Sequence, residues 1–231
     1  GARLATASVV TGLTHWRLHL VILAATFVMF PLMGLGLAQL PDEIMPRPLA
    51  LGLLYLCLLP STIQSSLAFT AIAGGNVAAA MCAATLSSLV GTVATPLLVG
   101  LLASSHGATA PGEAIREIFI LLLLPFAAGQ AVRPWIGAFV ARHKPVLSIT
   151  DRGSILLVVY GAFGKAVQAG IWHLLPPGPL ALMLVLDALM LAFAISATRF
   201  AATRLGFNRA DTIAIVFCGS KKSLAAGLPM A

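Results

Sequence analysis

Two adjacent lysines, Lys221 and Lys222, stand in the stretch "FCGSKKSLAAGLPMA" (217–231), whose other residues are apolar, small or serine. A lysine at the centre of a bilayer costs about 2.5–3.5 kcal/mol on insertion scales, so two in succession imply a task for at least one of them. An ammonium brings a full positive charge and three donors. Carbonyls at helix ends and serine hydroxyls can receive those donors, and Ser220 and Ser223 flank the pair. A second polar cluster, Gln64, Ser65 and Ser66, follows Pro60 in "CLLPSTIQSSLAFTAIAGGN" (57–76). Matching "SLA" at 66–68 with "SLA" at 223–225 sets Gln64 opposite Lys221 and Ser65 opposite Lys222. Consecutive helical positions point about 100° apart, so one lysine is expected to face a shared site. The bland alternative is that one lysine snorkels to water and the other pairs with an acid.

Other ionisable residues suggest simpler roles. Lys165 in "AFGKAVQ" and Asp187 in "LVLDALM" lie at similar distances from the "PPGP" turn (176–179), which predicts an ion pair between neighbouring helices. Asn76, after Gly74 and Gly75, is expected to cap the following helix. The three cysteines, Cys57, Cys82 and Cys218, sit in apolar runs without ligand spacing and read as packing residues. His15, His19, His106, His143 and His173 also lack metal-ligand spacing. There is no HExxH, no GxSxG and no paired intramembrane aspartates, and "GSKKS" lacks the spacing of a phosphate-binding GxxxxGK[ST] loop. The reading is therefore that of a protein that is not an enzyme and needs no cofactor.

The elements that must position these groups are apolar. Of 231 residues, 59% are hydrophobic and 9% charged, and mean hydropathy is +1.00, against about 45–50% and 25% in soluble domains. Apolar runs of about 20 residues, each able to cross a bilayer as a helix, are expected at 18–40, 49–73, 77–104, 118–132, 153–175, 180–201 and 212–231. The alternation of a transmembrane β-barrel is absent. The formal charge of +7 does not signify nucleic acid, because the basic residues fall in short gaps between the runs. The gaps at 133–152 and 199–211 are basic, whereas those at 41–48 and 104–117 are acidic. By the positive-inside rule the basic gaps are cytoplasmic. The chain starts without a methionine or signal-peptide pattern and stops at "GLPMA", so it reads as a fragment.

An odd number of crossings separates the two polar clusters, so their halves run in opposite directions through the membrane. Interrupted segments at matching places in inverted halves are the mark of a transporter's midplane site, since open backbone at that depth survives only inside protein or beside water. For either segment alone, a Pro60 kink or serines at helix contacts would suffice. The pairing favours a site. One transmembrane domain thus covers 1–231, with parts of the first repeat at 18–104 and of the second at 113–231.

The segments "HWRLHL", "LYLCLLPSTIQSSLAFTAIAGGNVAAAMCAATLSSLVGTVATPLLVGLL", "LLLLPFAAGQAVRPWIG", "SILLVVYGAF" and "VFCGSKKSLAAGLPMA" resemble the bacterial sodium-bile-acid-symporter-like (SBF-like) branch of the bile acid:sodium symporter superfamily, the subgroup related to vertebrate solute carrier family ten member seven. The resemblance covers essentially the whole chain. It implies an all-α inverted-repeat fold of ten helices, two of them broken and crossing, with the first helix, most of the second and the tenth outside this chain. It also implies a sodium site made by a Ser-Asn pair on the fourth helix, hydroxyls on the fifth and a glutamate on the ninth. A second ion there uses that glutamate, carbonyls and a glutamine. Here Ser65 and Ser66 match the Ser-Asn pair, Ala80 and Ala84 the hydroxyls, Phe217 the glutamate and Lys221 the glutamine. Thr85, Ser87 and Ser88 supply hydroxyls nearby.

Most sodium ligands are thus replaced. The expectation is a symporter-like secondary transporter of an organic anion or bile-acid-like solute in the bacterial inner membrane, with lipid and the solute as partners and a homo-oligomer admissible. Lys221 or Lys222 is a built-in cation that either substitutes for sodium, bonded to helix-end carbonyls and to Gln64, Ser65 and Ser66, or exchanges a proton. Sodium or a proton is the coupling ion. The alternative is a membrane regulator or scaffold that keeps the fold without transporting.

Overall fold

The computed structural model of the chain describes residues 15–104, 142–168 and 177–223, together with residues 132, 135 and 170. The expected span at 118–132, the acidic gap at 104–117 and the segment after Ser223 lie wholly or almost wholly outside the described residues. All the named elements are helical: α1 (Trp16–Ala24), a π-helical turn (Ala25–Met29), α2 (Phe30–Leu37), α3 (Arg47–Leu58), α4 (Ile63–Ile72), α5 (Val77–Ser104), α6 (Lys144–Gln168), α7 (Pro177–Arg204) and α8 (Arg209–Ser220). The expected all-α membrane fold is the one observed.

Length sorts these helices into two kinds. Trp16–Leu37, Val77–Leu102 and Pro177–Arg204 are each apolar and long enough to cross a membrane; the first, at 22 residues, rises about 33 Å. By contrast α3, α4 and α8 have 12, 10 and 12 residues and rise only about 15–18 Å each. The expected span at 49–73 is therefore a broken helix, α3 and α4 meeting at an extended Leu59 (ψ 153°). The expected span at 212–231 is not one helix either: α8 starts earlier, at Arg209, and stops at Ser220, after which Lys221 is extended. At the basic gap the helix also starts sooner than hydropathy suggests. α6 includes 144–152, because polar residues can continue a helix beyond the apolar stretch that needs lipid.

Small residues let the broken elements come close, as is common between membrane helices. Ala79, Ala80, Ala83 and Ala84 of α5 pack with Leu18 and Ile22 of α1 and with Ala214, Ile215 and Cys218 of α8 in one buried cluster. Gly91 of α5 lies against Pro60, where an added Cβ would come within 2.6 Å of the proline ring. Gly75 is tighter still: a Cβ there would lie 2.5 Å from Ile213 and 2.8 Å from Thr70.

The starts of α5 and α8 are joined. Asn76 Oδ1 accepts from Ala79 N (3.0 Å), which is the expected cap. Its Nδ2 donates to Asp211 Oδ1 (2.8 Å), and Asn208, the cap of α8, donates to the other carboxylate oxygen (3.0 Å). The buried Asp211 thereby fixes the entry of α8 to that of α5.

Candidate functional site

Proline creates the site. Pro60 has no N–H and biases Leu59 towards extended backbone, which ends α3. The carbonyls of the last turn then need partners from elsewhere. Thr95 Oγ1 donates to Leu58 O (2.8 Å) and Ser223 N to Pro60 O (2.8 Å). The Lys222 ammonium donates to Cys57 O (2.8 Å) and Leu59 O (2.9 Å).

Its third donor goes to Thr26 O (2.7 Å), a carbonyl freed by another proline. Phe30 N donates to Ala25 O, five residues back, and Pro31, the next residue, has no hydrogen to give. Thr26 O is left without a helical partner, and Lys222 takes it. The Phe30 ring stands 4.3 Å from Nζ, adding its negative face to the ammonium's surroundings. Three donors thus meet three backbone acceptors, two at the end of α3 and one in the π-helical turn, with an aromatic face beside them.

The two breaks cross at this point. Ser61 and Lys222 form an isolated antiparallel bridge. Ser61 Oγ donates to Cys218 O (2.6 Å) and Ser66 Oγ to Phe217 O (3.0 Å), so hydroxyls from the first broken helix satisfy the last carbonyls of α8. Ser61 N donates in turn to Ser87 Oγ on α5 (3.0 Å). Each broken helix serves the open end of the other.

This geometry corrects one expectation. The ammonium bonds only to carbonyls, not to Gln64, Ser65 or Ser66. Gln64 is exposed and Ser66 is occupied by Phe217 O. The reason is supply: hydroxyls here cap α8, while α3 and the π-helical turn offer carbonyls with no other donor. Thr85 is buried in α5, and Ser88 Oγ turns back to Ala84 O in its own helix (3.0 Å). Neither bonds to Lys222.

Lys221 points differently, because the backbone there is extended rather than helical and successive extended residues face opposite ways. Its Nζ lies 4.2 Å from the Phe69 ring and 5.9 Å from that of Phe217, two rings stacked at 5.6 Å. With Thr62, Ser65 and Ser220 it lines a cavity of about 350 Å³, and Asp187 of α7 lines the same cavity. The expected Lys165–Asp187 pair does not form: no ion pair joins them among the described residues, and Lys165 is exposed on α6. Asp187 turns to the lysine side because α7 packs on α8.

Sequence reasoning anticipated carbonyl partners for a lysine but missed which carbonyls they are, and it missed Ser61, Thr95 and Asp187 as a cavity residue. The signals were the two prolines, Pro60 and Pro31, each of which removes an N–H close to a carbonyl that Lys222 then takes.

Comparison with known proteins points to a family of transporters. The profile of the SBF-like CPA transporter family matches residues 1–231. An uncharacterized protein of Pseudomonas aeruginosa is 53% identical over 232 residues, covering 100% of this chain and 70% of that protein. The Escherichia coli protein YfeH, named provisionally as a symporter, is 51% identical over 231 residues with the same coverage. The mouse sodium/bile acid cotransporter 7 is 29% identical over 232 residues, covering 100% of this chain and 68% of its own length. Matched over its whole length, the chain belongs to the SBF-like CPA transporter family.

Proposed function

We propose that this transporter-family chain is a secondary active carrier of an organic anion across the bacterial inner membrane, in which Lys222 replaces a coupling sodium ion as a tethered cation. The supporting observation is the three carbonyls at 2.7, 2.8 and 2.9 Å around Lys222 Nζ. Oxygen ligands gathered from broken helices are what an alkali cation seeks at a transporter's midplane, and here an ammonium engages them. Half-helix N-termini carry positive partial charge, and with Lys221 they favour an anionic solute. Alternating access then moves solute past this crossing without a sodium ion being bound and released. The basic gaps at 133–152 and 199–211 face the cytoplasm in this reading, and no catalytic chemistry is involved.

Full-length protein in proteoliposomes tests it. A panel of labelled organic anions is offered under sodium, potassium and pH gradients. Uptake of at least one anion that is indifferent to sodium is expected, and uptake strictly dependent on sodium sinks the proposal. If no anion moves, and Lys221 and Lys222 substitutions alter only protein abundance, the regulator or scaffold reading takes its place.

A further inference from the structure

The cavity beside the crossing holds groups that the tethered cation does not use. Ser220 is 5% exposed, and its Oγ has no hydrogen-bond partner among the described residues; it lines this cavity. A buried hydroxyl left unpaired is costly. Lys221 has only ring faces near its ammonium, with no hydrogen bond or ion pair among the described residues. Asp187 likewise has no hydrogen bond or ion pair there. Thr62 and Ser65 line the same cavity at the first turn of α4, whose Thr62 side chain makes no capping bond. That turn points N–H groups and positive partial charge at the space.

A cation and an acid that share a cavity yet stay unpaired leave room for a ligand between them. The charges set its class. Lys222 is already matched by three carbonyls and a ring, but its charge remains, so Lys221 and Lys222 outnumber Asp187 by one. A singly charged anion balances the cavity. Its negative group belongs with Lys221, Ser220 and the α4 N-terminus, and Asp187 calls for a neutral donor. Leu56, Phe30, Met190 and Leu191 complete the lining with apolar surface. A volume of about 350 Å³ lies at the small end of the roughly 300–1,000 Å³ of ligand pockets.

We infer that this cavity binds a small organic acid whose carboxylate meets Lys221 and Ser220 and whose other end carries a hydrogen-bond donor for Asp187. The inference rests on the organic-anion reading above and narrows its substrate class.

The test uses the full-length protein in detergent and two matched series of probes: unsubstituted carboxylic acids of three to six carbons, and their ω-hydroxy counterparts. Binding is read by titration calorimetry and thermal shift. At least one hydroxy acid is expected to bind more tightly than its unsubstituted partner. Lys221→Gln should weaken both by about 10- to 100-fold, the loss of one hydrogen bond to a charged group. Asp187→Asn should narrow the preference for the hydroxy acid and, because it removes a negative charge from the cavity, should tighten binding of the unsubstituted acid. Binding by neither series, or equal binding of both with no effect of Asp187→Asn, overturns the inference. The sodium response of Lys222 variants is measured in parallel. If the probes fail while Lys222→Met gains a sodium response, the cavity assignment falls and the tethered-cation reading stands.

Discussion

Replacing Lys222 with methionine keeps the length and apolar stem of the side chain and removes its charge and three donors. Three carbonyls, Thr26 O, Cys57 O and Leu59 O, then lose their partner. At about 1–3 kcal/mol for each buried group left unpaired, the loss is about 6 kcal/mol at mid-range. Removing a buried charge returns about 3 kcal/mol on the insertion scale. The net destabilisation is about 3 kcal/mol, or a fall of about 6–12 °C in Tm for a chain of this size. The assay is thermal unfolding of the full-length protein in detergent, followed by intrinsic fluorescence, with sodium exchanged for choline at fixed ionic strength. Wild-type Tm should be indifferent to sodium. Lys222→Met should recover part of its loss in sodium but not in choline, because an ion that binds only the native state raises stability by mass action. A variant as stable as wild type, or a wild type stabilised by sodium itself, refutes the reasoning.

Three further substitutions, two of them with a control, probe the supports of the crossing. Ser61→Ala removes the 2.6 Å bond to Cys218 O and should cost about 1–3 kcal/mol, read as a lower Tm, whereas Gln64→Ala at an exposed position should change it little. Asp211→Ala strands the side-chain amides of Asn76 and Asn208 and should lower stability by about 2–4 kcal/mol, measured by the same unfolding assay. Gly75→Ala places a methyl 2.5 Å from Ile213 and should sharply reduce the yield of folded protein in size-exclusion chromatography; Gly52→Ala, which meets nothing within 4 Å, should not.

Much of the architecture was legible because lipid imposes a coarse rule: 20 apolar residues, a short gap, and 20 more. The runs at 18–40, 77–104 and 180–201 correspond to real membrane-length helices for that reason. The rule fails where helices are broken. Hydropathy counts side chains and does not register that Pro60 ends α3 or that backbone turns extended at Lys221. The matched "SLA" segments located the crossing, and carbonyls were expected around the ammonium, but not which ones, nor that the side chains of Gln64, Ser65 and Ser66 would be left out. Those partners are main-chain carbonyls, and residue identity marks a free carbonyl only indirectly, through a proline one to five positions later. The Lys165–Asp187 expectation failed for a related reason. Equal depth from a turn fixes height in the membrane but not the direction a side chain faces, and α7 turns Asp187 toward the lysines.

The division of labour between two adjacent lysines follows from the same broken backbone. Had α8 continued through Lys221 and Lys222, its carbonyls would have bonded within the helix and Ser61 and Ser66 would have had no end to cap. Because it stops at Ser220, Lys222 enters the antiparallel bridge with Ser61, and its side chain reaches the open end of α3. Extended backbone sends successive side chains to opposite faces, so the Lys221 ammonium leaves toward Phe69 and Phe217 rather than the carbonyls, although both lysines line the cavity. One lysine is consumed in holding the crossing together and its neighbour is kept out of that task. Separating the effects of Lys222→Met on stability from those of Lys221→Gln on anion binding is therefore a test of the break itself.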